Sequence, residues 1–194
     1  MRITTLFIIL IALTSCGIKT DKSALEEESI RNEFLQKGGE VVNLSQAELL
    51  KNVAQAMSTG GPDYAVDFCN VHALSIKDSL STLYNCEIRR IATKYRNPQD
   101  KPGTKTETGI LSKYQEANQL GESTGAEVFI FDDHVEYYHP ILIKNGACLL
   151  CHGNPGEQIN DQTMEIINTH YPADLATGYK MDDLRGAWKV TFKR

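Results

Sequence analysis

Cysteine, histidine, proline and tryptophan are all scarce in this chain, with five, five, six and one copies in 194 residues. No stretch beyond the N-terminal 15 residues is apolar enough to span a bilayer as a helix, and no internal repeat is visible. Acidic residues outnumber basic ones, 25 to 20, and the basic residues are scattered, which argues against a nucleic-acid partner. The sequence predicts one globular domain whose chemistry depends on a few cysteines and histidines.

The first 15 residues have the pattern of a bacterial lipoprotein signal peptide. Arg2 precedes an apolar run over 6–13, and a small residue, Ser15, stands directly before Cys16. We expect cleavage before Cys16 and lipidation of its thiol, which places the protein outside the cytoplasm, facing the periplasm. Gly17 stands where an aspartate would favour the inner membrane, so the outer membrane is preferred. The alternative is an ordinary signal peptide that leaves Cys16 as a free thiol.

Hydrophobic periodicity divides the rest of the chain into a polar tether over 16–44 and a domain over 45–194. A capping box at 45–48 predicts a helix that stops at Gly60 and Gly61, and Pro62 predicts the start of a second helix. The fold class is α+β, with N-terminal helices followed by a small antiparallel sheet with helical crossovers. The later elements are strands at 86–92, 126–131, 135–143 and 186–192 and helices at 111–120 and 158–168.

Residues 148–152 form a Cys-x-x-Cys-His motif, the attachment signature of c-type haem. In such a motif Cys148 and Cys151 form thioethers with the haem vinyl groups and His152 ligates the iron. The alternatives are a thioredoxin-like dithiol, which does not need the histidine, and half of a zinc site, which needs a second ligand pair that the chain lacks. We therefore predict one covalently bound haem c.

The second axial ligand of the iron is not fixed by the motif. Cys69 and His72 lead the candidates because both lie on or near the apolar side of the predicted second helix. A third possibility is a disulfide between Cys69 and Cys86 in an oxidising compartment. From the residues alone these three remain open. The other soft or nitrogenous side chains weighed as ligands are Cys86, His134, His139, His170, Met57, Met164 and Met181.

Five stretches resemble a family of single-haem c-type proteins with a PAS-like fold, found alone in bacteria and as extracytoplasmic sensor modules of histidine kinases. The resemblance implies a PAS-like sheet and an axial pair of His152 and Cys69. Four basic residues, Arg89, Arg90, Lys94 and Arg96, are candidates to pair with the haem propionates. The resemblance favours Arg96, whereas a solvated strand face is the preferred interpretation of the other three. The matching stretches are 65–70, 95–98, 148–153, 171–179 and 183–188.

Thiolate ligation suggests a function. An anionic sulfur stabilises ferric iron, and on reduction the thiolate is more easily protonated and lost. The redox state of the iron would then determine whether the cysteine is bound to it. An open ferrous site could then accept NO or CO. We expect a redox or diatomic-gas sensor that signals to a periplasmic partner protein, tethered to the membrane by its lipid.

Three other functions compete with sensing. A simple electron-transfer cytochrome c with a periplasmic redox partner needs no output domain and is the closest alternative. A peroxidase-like enzyme would need an acid-base residue above the iron, such as His72 or His139, and we see no evident catalytic constellation. A haem-free thiol oxidoreductase or disulfide-stabilised binding module requires Cys148 and Cys151 to remain thiols.

Overall fold

The fold combines a long N-terminal helix with one antiparallel sheet. The structure is a computed structural model that describes residues 22–194, without the side chains of 70–78. The four strands have the order β1-β4-β3-β2, which confirms the predicted α+β class. In chain order the elements are α1 (Lys22–Tyr84), β1 (Cys86–Ile91), a 3₁₀ turn (Pro98–Asp100), α2 (Lys105–Gln119), β2 (Glu127–Ile130), β3 (His134–Leu142), α3 (Gly146–His152), α4 (Asp161–His170) and β4 (Leu184–Lys193).

The N-terminal segment differs from the expected polar tether. Residues 22–44 belong to α1, and Val41 is buried in the main core, the apolar cluster that also contains Ile88, Val135, Tyr137 and Val190. Ile30 and Phe34 pack against the same core, and the Phe34 ring lies 5.1 Å from that of Phe192 in β4. These apolar residues recur four and then seven positions apart, so they share one helix face despite the acidic residues around them. Burial of that face against the sheet outweighs the polar composition.

The predicted helix start at 45–48 is also wrong, because α1 begins much earlier. Ser45 lies buried inside the helix, where its hydroxyl donates to the Val41 carbonyl at 2.7 Å instead of capping an N-terminus. Upstream, Gly38 allows the helix to approach the sheet closely. A Cβ atom at Gly38 would lie only 2.2 Å from Cγ of Tyr137 in β3. Glycine is therefore required sterically at this contact.

The predicted break at Gly60 and Gly61 is present. Gly60 and Gly61 both leave the helical conformation, and Gly61 has a φ of 72°, which favours glycine. Pro62 follows the break, as expected for the first turn of a new helical segment. The chain beyond it packs on α4, with Val66 beside Ile167. The break at Gly60 and Gly61 therefore divides α1 into two helical segments.

The two faces of the sheet are covered by different helices. On one face α1 packs against Val135, Tyr137 and Val190, and on the other α2 packs its Tyr114 against Tyr138. Alternation along β3 and β4 produces this division.

A buried ion network lies on the α2 face. The Lys189 ammonium lies 2.8 Å from Glu107 and 2.5 Å from Glu136, and the Tyr138 hydroxyl donates to Glu136. Two carboxylates around one lysine, with Arg89 3.4 Å from Glu107, form a paired network within the core. Among residues 22–194 no helix has the length and apolarity needed to cross a membrane.

Candidate functional site

The Cys-x-x-Cys-His motif forms the short helix α3. The Asn145 side chain caps this helix by accepting from the Ala147 amide at 2.8 Å. Cys148 and Cys151 are free thiols, and their spacing of three places them on neighbouring positions of one helix face. Cys148 packs beside Tyr179 in one apolar cluster, and Cys151 packs in another that includes Val66 of α1 and Ile159. The two thiols therefore lie half-buried against different apolar clusters.

The His152 imidazole has a defined tautomer. Its Nδ1 lies 2.8 Å from the carbonyl oxygen of Ala176, and a carbonyl can only accept, so Nδ1 carries the hydrogen. Nε2 is left with its lone pair, the arrangement in which histidine ligates a metal. Burial, together with the nearby guanidinium groups of Arg185 and Arg96, holds the pKa of His152 well below its usual range. The imidazole is accordingly neutral.

Backbone hydrogen bonds hold the segment that supplies this carbonyl against the end of α3. The Tyr179 amide donates to the His152 carbonyl at 2.9 Å, and the Gly178 amide donates to Gly153 at 2.8 Å. The Tyr179 ring meets the imidazole edge-on, with centroids 6.2 Å apart. His152 is thus oriented by a segment about 25 residues further along the chain, which is the role of an outer-shell partner at metal sites.

Arg96 pairs with Asp174 and with the backbone of the motif. Its Nε and Nη2 atoms form a bidentate pair with Asp174 at 3.1 and 3.2 Å, and Nη2 also donates to the Cys151 carbonyl at 2.7 Å. A bidentate contact with a buried carboxylate engages one whole edge of the guanidinium group. Arg96 therefore ties the 171–179 segment to α3, and its contact with a haem propionate stays a prediction.

Cys69 lies at the same end of the molecule as the motif. Its thiol is half-buried, and burial raises its pKa, against the opposing effect of Arg90 and Arg96. Cys151 lies within electrostatic range of Cys69, and burial raises the pKa of Cys151 to about 11. The structure brings Cys69, Cys151, His152 and Arg96 into one region.

Cys86 lies elsewhere, at the opposite end of β1. It faces Phe192 in the neighbouring strand and packs in the main core beneath α1. Cys69 and Cys86 are both free, so the disulfide alternative is wrong in this structure. The His72 side chain and Cys16 lie outside the described residues, and their roles stay predictions. The described part of the chain contains no group of three or more His, Cys, Asp or Glu side chains suited to a bare metal ion.

Two further arginines lie beside the site: Arg185, and Arg90, for which a solvated strand face was the preferred prediction. Arg185 donates from Nη1 to the Lys94 carbonyl at 3.1 Å, and its guanidinium group lies 5.6 Å from the Tyr179 ring centroid. Arg90 lies 6.0 Å from the ring centroid of Trp188. The 183–188 stretch carries part of the family resemblance, and its pattern predicts only that Arg185 stabilises a loop.

Comparison with known proteins places the chain in a family. The model of the family described as "Tll0287-like: Tll0287" matches residues 19–192. The chain belongs to the Tll0287-like family. Among solved structures, the crystal structure of the cyanobacterial haem-protein Tll0287 matches with a TM-score of 0.60 and 25% identity, covering 82% of this chain and 96% of that one. No curated protein matched. These findings confirm the family predicted from the sequence.

The other candidate ligands predicted from the sequence differ from one another in their surroundings. His134 lies 2.6 Å from Asp133, and His170 lies 2.6 Å from Asp67. Met164 packs in the Val66 cluster that also includes Cys151, whereas Met181 is 44% exposed.

His139 has different surroundings from His134 and His170. It is half-buried on β3, opposite Trp188, and its Nδ1 lies 3.4 Å from the Tyr137 hydroxyl. Arg90 faces Trp188 from β1 in turn, so the three form one row across the sheet. Burial lowers the pKa of His139, which keeps this row free of a second cation at neutral pH.

Proposed function

We propose that this chain is an extracytoplasmic, lipid-anchored protein that carries one covalently attached haem c and senses redox state or a diatomic gas. The observation that carries the proposal is the hydrogen bond from Nδ1 of His152, the last residue of the helix bearing Cys148 and Cys151, to the Ala176 carbonyl. Two free thiols and a neutral imidazole with an available Nε2 are the donor set that haem c requires. Similarity to a haem protein across most of the chain supports the same cofactor.

Each residue of the set has a separate role in the proposal. Cys148 and Cys151 would hold the porphyrin as thioethers, and His152 Nε2 and Cys69 Sγ would ligate the iron. A haem bound there supplies a one-electron redox centre. The apolar side chains around the two attachment cysteines exclude water from its faces, because Ile143, Ile159 and Ala176 are all buried beside them.

Proton exchange at Cys69 gives the proposed sensor its switch. Burial raises the pKa of this thiol, so Cys69 holds its proton at Sγ when it is not a ligand and releases the proton when it becomes one. Arg90 and Arg96 favour the thiolate and so oppose complete loss of ligation. Ligand exchange at Cys69 is therefore coupled to proton uptake.

The position of Cys69 links that exchange to the fold. Cys69 follows the break at Gly61 and belongs to the α1 segment that packs on α4. The segment is attached there by a hydrogen bond from Thr163 to Asp63 and by the His170–Asp67 pair at 2.6 Å. A helix segment that begins at a glycine break is suited to two positions, which a partner protein in the periplasm could detect.

Electron transfer is the second candidate. None of the residues of α3 is fully buried, which places the attachment cysteines near the surface, as exchange of electrons with a redox partner requires. Rapid electron self-exchange with both axial ligands retained would favour a carrier, and slow exchange with loss of Cys69 on reduction would favour the sensor. We propose no enzymatic activity, because Cys69 as an axial ligand obstructs the open coordination position that a peroxidase uses.

Haem attachment is tested by producing the full chain in bacteria with the haem-maturation machinery. We expect the denatured, purified protein to retain one haem by mass and by its pyridine haemochrome spectrum. The double variant Cys148→Ser, Cys151→Ser should lose it, and Cys86→Ser should keep it as the matched control. A wild-type chain without haem, in which Cys148 and Cys151 react as thiols, would contradict the proposal and favour thiol chemistry.

Membrane tethering is tested on the same preparations. We expect the mature N-terminus to be Cys16, with the mass of attached acyl chains, and the protein to fractionate with membranes. Cys16→Ser should abolish acylation and leave uncleaved precursor. A mature N-terminus elsewhere, without lipid, would indicate an ordinary signal peptide.

A further inference from the structure

We infer that Arg185, with Arg90 beside it, forms the anion site that binds a carboxylate of the haem, the role that the sequence had suggested for Arg96. The inference rests on the proposed haem attachment and names the residues that would receive the propionates. Three observations support it, concerning the charges around the site, the contacts of Arg185 and the backbone that positions it.

Charge around the site is not balanced. Three arginines lie around the site. Arg96 donates to the Cys151 carbonyl at 2.7 Å, and Arg185 lies 5.6 Å from the ring of Tyr179, which contacts His152. Arg90 faces Trp188 from β1. Asp174 pairs with Arg96, and Asp100 lies 3.8 Å from Arg90. Among the described side chains no carboxylate lies within 4.0 Å of the Arg185 guanidinium group. A half-buried cation beside two like charges is unfavourable unless an anion joins it.

The contacts of Arg185 are those of a fixed, available donor. Nη1 donates to the Lys94 carbonyl at 3.1 Å, Cζ lies 5.6 Å from the Tyr179 ring centroid, and the guanidinium group also donates to the Tyr179 hydroxyl. These contacts orient the group and leave further N–H donors, since arginine carries five. The same Tyr179 ring contacts His152 edge-on at 6.2 Å, so a single aromatic ring separates Arg185 from the proposed iron ligand.

A β-bulge positions the side chain. Ile141 of β3 pairs with Gly186 while the next residue, Leu142, pairs with Leu184, so Arg185 is the extra residue in β4. Such bulges redirect one side chain out of the regular alternation. Gly186 has a φ of 155°, and a Cβ there would lie 2.4 Å from the Ile91 carbonyl oxygen, which explains why glycine follows Arg185. The bulge therefore takes Arg185 out of the regular alternation of β4.

The inference predicts how the reduction potential of the haem-loaded full chain depends on pH. A propionate whose protonation is linked to iron reduction appears as an apparent pKa in that dependence. Replacement of Arg185 by glutamine removes the adjacent positive charge, so the apparent pKa should rise by about one unit. Arg185→Lys keeps the charge and should stay nearer the wild type. Arg194→Gln removes an equal charge from an exposed C-terminal arginine and should leave the dependence unchanged.

Several results would overturn the inference. An apparent pKa in Arg185→Gln equal to that of the wild type would remove Arg185 from the site, and a rise of equal size in Arg194→Gln would reduce the effect to net charge. A shift of the wild-type potential on addition of succinate, absent in Arg185→Gln, would assign the cluster to a free carboxylate. If the wild type carries no haem, the proposed function has failed, which the haemochrome spectrum shows separately.

Discussion

His152 and Ala176 are joined by a hydrogen bond of 2.8 Å from imidazole Nδ1 to the backbone carbonyl oxygen. This bond links α3 to the irregular segment after α4, and the Arg96–Asp174 pair fastens the same segment beside it. The orientation of the proposed iron ligand therefore depends on a buried ion pair that is distant in sequence.

Asp174→Asn should destabilise the protein by about 2–3 kcal/mol, because it leaves Arg96 without its carboxylate in a buried position. The Asp174 side chain is only 2% exposed. Asp182→Asn is the matched control: its partner Lys144 and Asp182 are 65% and 69% exposed, so the change should cost less than about 1 kcal/mol. Urea denaturation measures both. Equal losses in the two variants would contradict a special role for the Arg96–Asp174 pair.

Gly38→Ala and Gly39→Ala should differ sharply although the residues are adjacent in α1. A Cβ at Gly38 would meet Cγ of Tyr137 at 2.2 Å, whereas at Gly39 the nearest atom, the Tyr137 hydroxyl oxygen, lies 3.7 Å away. We expect Gly38→Ala to cost about 1–3 kcal/mol by overpacking. Gly39→Ala should be neutral or stabilise by up to about 1 kcal/mol through helix propensity.

Thermal or urea denaturation of the two glycine variants distinguishes a packed helix from a tether. If residues 22–44 did not pack on the sheet, both alanines would stabilise the helix equally. That outcome would restore the tether that the polar composition predicts.

His139 should make stability depend on pH. Burial lowers its pKa in the folded protein, whereas the unfolded chain binds the proton near the ordinary value of about 6.5. The unfolded state then holds more protons as the pH falls below that value, so stability is full above it and declines on acidification. His139→Gln should lose less stability than the wild type between pH of about 7.5 and about 5.5. Denaturant titrations at the two pH values measure the difference, and parallel losses would contradict a buried neutral His139.

Local patterns predicted much of the fold. The alternation of β3 and β4 and the Gly60–Gly61 stop were recognisable because each depends on neighbours within a few residues. Within 22–44 the predicted tether was wrong, because the average polarity of the segment concealed an apolar helix face that includes Phe34 and Val41 and packs on the sheet. The average composition of a segment does not show which residues share a helix face, and packing depends on that face.

The site shows the same division. The Cys-x-x-Cys-His motif is contiguous, so its chemistry is predicted from five residues. Arg96 and Asp174 lie 78 residues apart, and no local spacing reveals that they pair. Arg185 owes its position to a bulge, which changes the alternation that a strand prediction assumes. Long-range pairs and backbone irregularities are the features that a single sequence does not specify.

Ligation by Cys69 opposite His152 is the central claim, and low-temperature ferric EPR of the haem-loaded full chain tests it most directly. We predict a low-spin signal of narrow spread, typical of a thiolate ligand, that is lost in Cys69→Ala and retained in Cys86→Ala. Cys86 is the matched control because it is also a free, half-buried thiol, yet it packs against the main core. A signal of wider spread that is unchanged in Cys69→Ala would contradict the account and assign the ligand to a histidine such as His72.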